Sequence, residues 1–213
     1  MGSIVFIKLS VILQFTTGIT PLLFLFFFKR KLRTELVLLL LASAITTLVL
    51  YITGSLGIKN WFFLNLYNTT ALACLSIYYH SIIQSKALKK IVVIIASFCG
   101  VVIIMELTYL DLINLSLPAL FLCFTFFSIL YFIDNLGKAR TPVLKAYFII
   151  NTTYFVYHSF SFFMSLEFQT MMENHYWIIH NVVEASSKLV IAYAILKIPK
   201  TTEEMKSKSV TLP

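Results

Sequence analysis

Charge is what this sequence has least of. Asp, Glu, Lys and Arg make up 12% of the 213 residues, while apolar types make up 59%. That balance excludes a soluble globular domain of ordinary composition and indicates a membrane protein. Acid is scarcer than base, 9 residues against 17, for a net charge of +8. In a soluble chain this excess would suggest nucleic acid. Here the basic residues stand between apolar runs, where they act as topology signals, and no nucleic-acid partner is expected. The three cysteines, Cys74, Cys99 and Cys123, fall inside apolar runs and are expected as reduced core residues that say little about redox compartment. No small-residue cleavage site follows the first apolar run, so that run is expected to be retained. The start MGSIVF lacks the hydroxyl residue of a myristoylation signal. The length leaves no room for a second globular domain. The tail KTTEEMKSKSVTLP is too small for a catalytic output domain, so signalling would need a separate partner.

What is present is a succession of apolar stretches. Seven are long enough to span a bilayer at about 20 residues each, near 4–28, 35–57, 61–84, 91–108, 116–133, 143–165 and 176–196. The expected fold is an all-α membrane protein: a seven-transmembrane helix bundle over 1–198, then a short cytoplasmic tail over 199–213. Breaks fall at KRKLR, GIKN, SKALKK, LDLINLS, DNLGKART and LEFQTMMENH. Lys29, Arg30, Lys31 and Arg33 follow the first span, and Lys86, Lys89 and Lys90 follow the third. Lys138, Arg140 and Lys145 flank the start of the sixth, and Lys197, Lys200, Lys206 and Lys208 follow the seventh. Lys8 and Lys59 fall on the other side, with Glu106, Asp111, Glu167 and Glu173. Four alternate junctions agree, so the N-terminus is expected outside and the C-terminus cytoplasmic, in an integral membrane protein of the bacterial cytoplasmic membrane. Trp61, Tyr176 and Trp177 would then lie at the outer interface.

The seventh stretch, YWIIHNVVEASSKLVIAYAIL, carries His180, Asn181, Glu184 and Lys188 at its middle. Ionisable groups at that depth are costly and usually face a bundle interior or a wet cavity. The i, i+4, i+8 spacing of His180, Glu184 and Lys188 puts them on one helix face. Glu184 and Lys188 can pair there, which lowers the burial cost of both. Polar residues also gather in the third span (Asn65, Asn68, Thr69, Thr70, Ser76, Tyr78, Tyr79, His80) and the sixth (Tyr147, Asn151, Thr152, Thr153, Tyr154, Tyr157, His158, Ser159, Ser161). Singly, such residues most often hydrogen-bond across helices for packing alone. Together they predict a polar cavity between spans 3, 6 and 7, with Asn65, Asn68, Asn151, His158 and Asn181 binding a small polar solute. His180, Glu184 and Lys188 would serve as a proton-coupling set or as a structural ion pair. The two Asn-Thr-Thr sequons, 68–70 and 151–153, lie inside spans and are discounted as glycosylation sites. No metal, cofactor or catalytic residue is expected, and a homo-oligomer is open.

Two short matches suggest an internal repeat. LRTELVLL (32–39) and ARTPVLKA (139–146) align at an offset of 107, and WFFLN (61–65) and WIIHN (177–181) at 116. They imply a 3+1+3 parallel repeat. The run TPLLFLFFFKRKLRTE…LYITG…NWFFLNLYNTTALACLSIYYHSII resembles one repeat of the SWEET/PQ-loop transporters. That family has a proline in its first helix, a basic loop and a Leu-Tyr-Gly-type end to its second helix. An asparagine in its third and seventh helices lines the solute site. The resemblance implies Asn65 (or Asn68) and Asn181 as that pair. The sequence departs from the family in lacking a Pro-Gln dipeptide and in placing Pro21 and Pro118 at unmatched repeat positions.

Two further resemblances are narrower. VVEASSKLVIAYAIL is similar to the seventh helix of microbial rhodopsins, which implies a retinal Schiff base on Lys188 with Glu184 as counterion. A desolvated lysine suits that chemistry, but span three has no Arg, Asp or Glu and span six no Trp or Pro. Ser76 and His80 with Asp111, His175 and His180 superficially resemble the zinc-dependent seven-span hydrolases related to ceramidases and adiponectin receptors. His80 is expected at the opposite face from His175 and His180, whereas a metal needs its ligands at one depth.

Overall fold

The computed structural model describes residues 2–28, 32–56, 61–108, 116–137, 142–166 and 177–198. Among them are seven helices and no strand: α1 (Gly2–Phe27), α2 (Thr34–Ser55), α3 (Trp61–Ile82), α4 (Lys86–Thr108), α5 (Ser116–Asp134), α6 (Pro142–Leu166) and α7 (Trp177–Leu196). Outside the described residues lie Lys29, Arg30, Lys31, Lys59, Asp111, Lys138, Arg140, Glu167, Glu173, His175, Tyr176 and the tail 199–213. The side chains of Lys8, Trp61 and Trp177 also lie outside them.

One boundary differs from the sequence expectation. The SKALKK segment was expected as a connection, yet α4 begins at Lys86. The physical reason is an N-terminal cap built from two elements. Asp134, at the end of α5, accepts the backbone N–H groups of Gln84 (2.9 Å) and Ser85 (3.0 Å). The Ser85 hydroxyl accepts the N–H of Leu88 at 3.4 Å. An acidic group at a helix N-terminus satisfies orphan donors and complements the macrodipole. The N-terminus of α5 is held similarly, by the Glu106 carboxylate of α4 on the N–H of Ser116 (2.7 Å).

Helices pack in chain order around a ring, which α1 closes against α7, and α3 also touches α5 across the interior. Within α2, Leu38, Leu41, Ile45, Leu48 and Ile52 are exposed, at alternating three- and four-residue steps. Ser43 and Thr53 of the same helix are buried. The α4 residues Ile94, Phe98, Val101, Ile104 and Met105 form a second exposed apolar stripe. A water-soluble helix shows the opposite pattern, and apolar stripes of this extent mark a membrane or partner surface. Four helices contain segments long and apolar enough to cross a membrane: Thr34–Thr53, Lys86–Glu106, Ser116–Asp134 and Ile178–Leu196. By length and composition these mark an integral membrane protein. The 22 residues of α3 and 25 of α6 also exceed about 30 Å at 1.5 Å per residue, but these two helices carry much of the buried polar content.

Among the most deeply buried side chains are Tyr78, Tyr79, Phe127 and Ile150, all essentially inaccessible. Buried side-chain hydrogen bonds there join the helices, although the Asn151 side-chain oxygen has no partner among the described residues. The Tyr79 and Ser128 hydroxyls are 2.8 Å apart, and the Asn151 amide donates to the Tyr78 hydroxyl at 2.9 Å. Cys74, Cys99 and Cys123 are free thiols and buried.

Candidate solute-binding cavity

A cavity of about 410 Å³ lies between α2, α3, α5, α6 and α7. Its wall takes residues 43–51 of α2 and 157–165 of α6, toward the C-terminal ends of those helices. From the others it takes the N-terminal halves: 64–71 of α3, 117–124 of α5, and His180 and Glu184 of α7. Alternating chain direction brings these five segments to one depth. Of the described basic residues, Arg33, Lys86, Lys89, Lys90, Lys145 and Lys197 sit at the opposite helix ends, while Lys8 lies near the start of α1 and Lys188 within α7. A smaller recess of about 50 Å³ shares Ser43, Tyr67, Phe124, Tyr157, His158 and Glu184 with the cavity. It runs deeper, to Leu75, Tyr154, Ser187, Lys188 and Ile191.

The floor is charged. Lys188 Nζ lies 2.7 Å from Glu184 Oε1, with side-chain exposures of 8% and 18%. This is the intrahelical pair expected from the i, i+4 spacing. α1 makes room for it: a Cβ added at Gly18 would stand 3.5 Å from Lys188 Nζ. His180, one turn before Glu184, shares a 3.1 Å hydrogen bond between Nε2 and the Ser161 hydroxyl of α6.

His158 is the second polar feature. It is 5% exposed and lines both the cavity and the recess, and neither ring nitrogen has a hydrogen-bond partner. Rings surround it: Phe124 and Tyr157 at 4.9 Å between centroids, Tyr154 stacked at 5.6 Å and Phe121 at 5.9 Å. Most of the wall hydroxyls with a partner are turned into the protein. Thr47 donates to the Ser43 carbonyl (2.9 Å) and Ser165 to that of Phe162 (2.7 Å), and Ser43 pairs with Tyr67.

Of the sequence-predicted site residues, the structure brings together Asn68, His158, His180, Glu184 and Lys188 along the cavity and recess. Asn65, Asn151 and Asn181 are buried but lie off these walls. Asn151 shares a helix face with His158 seven residues on, so depth rather than direction separates it: two turns, about 10 Å. Its amide nitrogen goes to Tyr78 and to the Tyr147 carbonyl (2.7 Å). Asn181 follows His180 and is turned about 100° from it, toward a hydrogen bond with that imidazole. The cavity is also wider than expected from spans 3, 6 and 7, since α2 and α5 complete it. Two signals pointed to them: Ser43, Thr46 and Thr47 at helical spacing in an aliphatic run, and Phe121 with Phe124 on one face of α5. No group of three or more metal-ligating side chains occurs among the described residues.

Comparison with protein-family models, with curated proteins and with solved structures returned no match.

Proposed function

We propose that the chain is a seven-span integral membrane protein that binds a small solute in this cavity, either to transport it or to sense it. All seven helices would cross the bilayer, with the N-terminus outside, the C-terminus cytoplasmic and the cavity in the outer half. The observation that supports this most is the hollow itself, with its buried ion pair. Its volume of about 410 Å³ falls in the roughly 300–1,000 Å³ range of small-molecule sites.

In the transport version, α1–α3 and α5–α7 rock about the site with α4 as the link, as a 3+1+3 repeat would allow. Asn68 and His158 contact the solute. His180, Glu184 and Lys188 couple its movement to a proton by opening and remaking the pair. In the sensing version the same site reports to a separate partner. Reconstitution separates them. Solute that accumulates in liposomes, with loss in a folded Asn68→Ala variant, supports transport; saturable binding without accumulation supports sensing. Absence of both refutes the proposal.

Lys188 on the recess wall favours one second reading, a retinal-type pigment in which this amine carries the chromophore and Glu184 its counterion. Added retinal would then give a visible band that Lys188→Ala lacks.

A further inference from the structure

We infer that the solute is an uncharged molecule with a carboxamide-type head, a donor and an acceptor side by side, on an apolar body. The head meets the Asn68 amide of α3 and the Thr46 hydroxyl of α2. This rests on the cavity being a solute site.

Two side chains carry it, because they are left open where their counterparts are not. Asn68 is 3% exposed and lines the cavity, yet its side chain has no hydrogen-bond partner among the described residues. Asn151 and Asn181 do have one: the first gives its amide to Tyr78 and the second bonds His180. Nor is the Asn68 amide sealed off like the nitrogens of His158. A buried amide left unpaired is destabilising, and a partner in the cavity removes that penalty. Thr46 is half-buried on the same cavity. Its neighbour Thr47, and Thr69, Thr70, Thr152 and Thr153, donate to the carbonyl four residues back. The Thr46 hydroxyl has no such partner among the described residues.

An asparagine side chain holds two N–H donors and a carbonyl acceptor in one plane, and a hydroxyl both donates and accepts. The complement is a group of the same kind. A carboxamide or lactam makes two parallel hydrogen bonds with an amide, as asparagine does with the edge of adenine. A carboxylate offers only acceptors and an ammonium only donors. Either would also bring a charge to a wall whose own charges, Glu184 and Lys188, already pair at 2.7 Å. Thr47 and Ser165 keep their protons on carbonyls of their own helices, Ser43 is shared with Tyr67, and Ser161 with His180. Much of the remaining wall is apolar: Leu50, Leu64, Leu117, Leu120, Phe121 and Met164. A polyol would leave several hydroxyls unpaired against these side chains, whereas an aliphatic or aromatic body is stabilised there.

The test uses the full chain in lipid nanodiscs, with empty nanodiscs as the control for partitioning. 2-Naphthamide is titrated by calorimetry beside its N,N-dimethyl derivative, which lacks the donor, and beside 2-naphthoate, 2-naphthylmethylammonium and glucose. The expected result is saturable 1:1 binding of 2-naphthamide, at least tenfold tighter than that of any other probe. Asn68→Leu should weaken it at least tenfold, and Thr46→Val about threefold or more. Thr46→Val keeps the shape of the side chain and serves if Asn68→Leu does not fold. Asn68→Leu should also unfold at no lower a temperature than the unaltered chain, since it removes no internal hydrogen bond; a lower one overturns the inference, because the amide would then be held for packing. Equal binding of the dimethyl amide, tighter binding of either ion, or unchanged affinity in either folded variant overturns it as well. Binding of glucose in preference to 2-naphthamide overturns it and leaves the cavity a solute site. If no probe binds, the inference falls, and the solute-site reading is decided by the liposome experiment above.

Discussion

Removing Glu184 is the most demanding perturbation of this structure, because it leaves an ammonium with nowhere to go. An exposed i, i+4 pair contributes about 0.3–0.5 kcal/mol to a helix. Lys188 is 6% exposed, and its Nζ lies 2.7 Å from Glu184, so the relevant scale is that of a buried pair. Breaking such a pair from one side costs about 3–5 kcal/mol, because the remaining charge is uncompensated, whereas replacing both partners with apolar groups is often neutral or stabilising. Glu184→Leu is therefore expected to destabilise by about 3 kcal/mol. Lys188→Met should cost less, since the more exposed Glu184 side chain borders the 410 Å³ cavity and can draw on water there. The double variant should recover most of the loss. The assay is reversible unfolding in mixed detergent micelles, followed by helical circular dichroism, with all four corners of the cycle measured. A coupling energy under about 0.5 kcal/mol would refute the reasoning, because the pair would then behave as though solvated rather than buried.

Further outcomes can be read from the same unfolding assay. Gly18→Ala places a methyl at an ordinary 3.5 Å from Lys188 Nζ and gains about 1 kcal/mol of helix propensity, so it should not destabilise, whereas Gly18→Leu should displace the amine and cost more than 1 kcal/mol. Asn151→Leu strands the Tyr78 hydroxyl in a site with no access to solvent and should cost about 1–3 kcal/mol; Tyr78→Phe should cost less, because the Asn151 amide keeps the Tyr147 carbonyl. Asp134→Ala removes the carboxylate from two N–H groups at the start of α4 and should cost about 1–2 kcal/mol, with Asp134→Asn intermediate; hydrogen exchange at Gln84 and Ser85 should accelerate in proportion.

The positions of the helices were legible because the apolar runs are interrupted by short charged or polar segments, and a helix is the economical way to satisfy backbone groups across such a run. The early start of α4 was half hidden: Ser85 is a local N-cap signal, but the Asp134 carboxylate that completes the cap lies about 50 residues away in sequence, and no local pattern announces a partner on another helix. The Glu184–Lys188 pair was readable from spacing alone, since both groups lie on one helix. The solute-facing set was only half readable. Asn68 and Asn151 look alike in sequence, each opening an Asn-Thr-Thr triplet, yet one borders the cavity and the other sits about two turns below His158. That difference depends on where α5 places Phe121, Phe124 and Phe127, and so on packing between helices rather than on periodicity within one.

The bundle is thereby divided along its length, and the division bears on how it could move. At the depth of Tyr78, Tyr79, Ser128 and Asn151 the helices are joined by buried side-chain hydrogen bonds between α3 and α5 and between α3 and α6, and the rings there have essentially no access to solvent. Nearer the cavity the interior contacts are looser: apolar walls, hydroxyls folded back on their own helices, and the cross-helix pairs Ser161–His180 and Ser43–Tyr67. Hydrogen-bonded, close-packed segments open last, while segments with few buried contacts open first. Closure around an occupant should therefore pivot near the Tyr78–Asn151 layer, with α6 and α7 tightening at the His180 end. A spin-label pair spanning the cavity mouth should shorten its distance when solute binds, while a pair placed at the layer of Tyr79 and Ser128 should not change. If the second pair moved as much as the first, the polar layer would be a sliding contact and not a pivot.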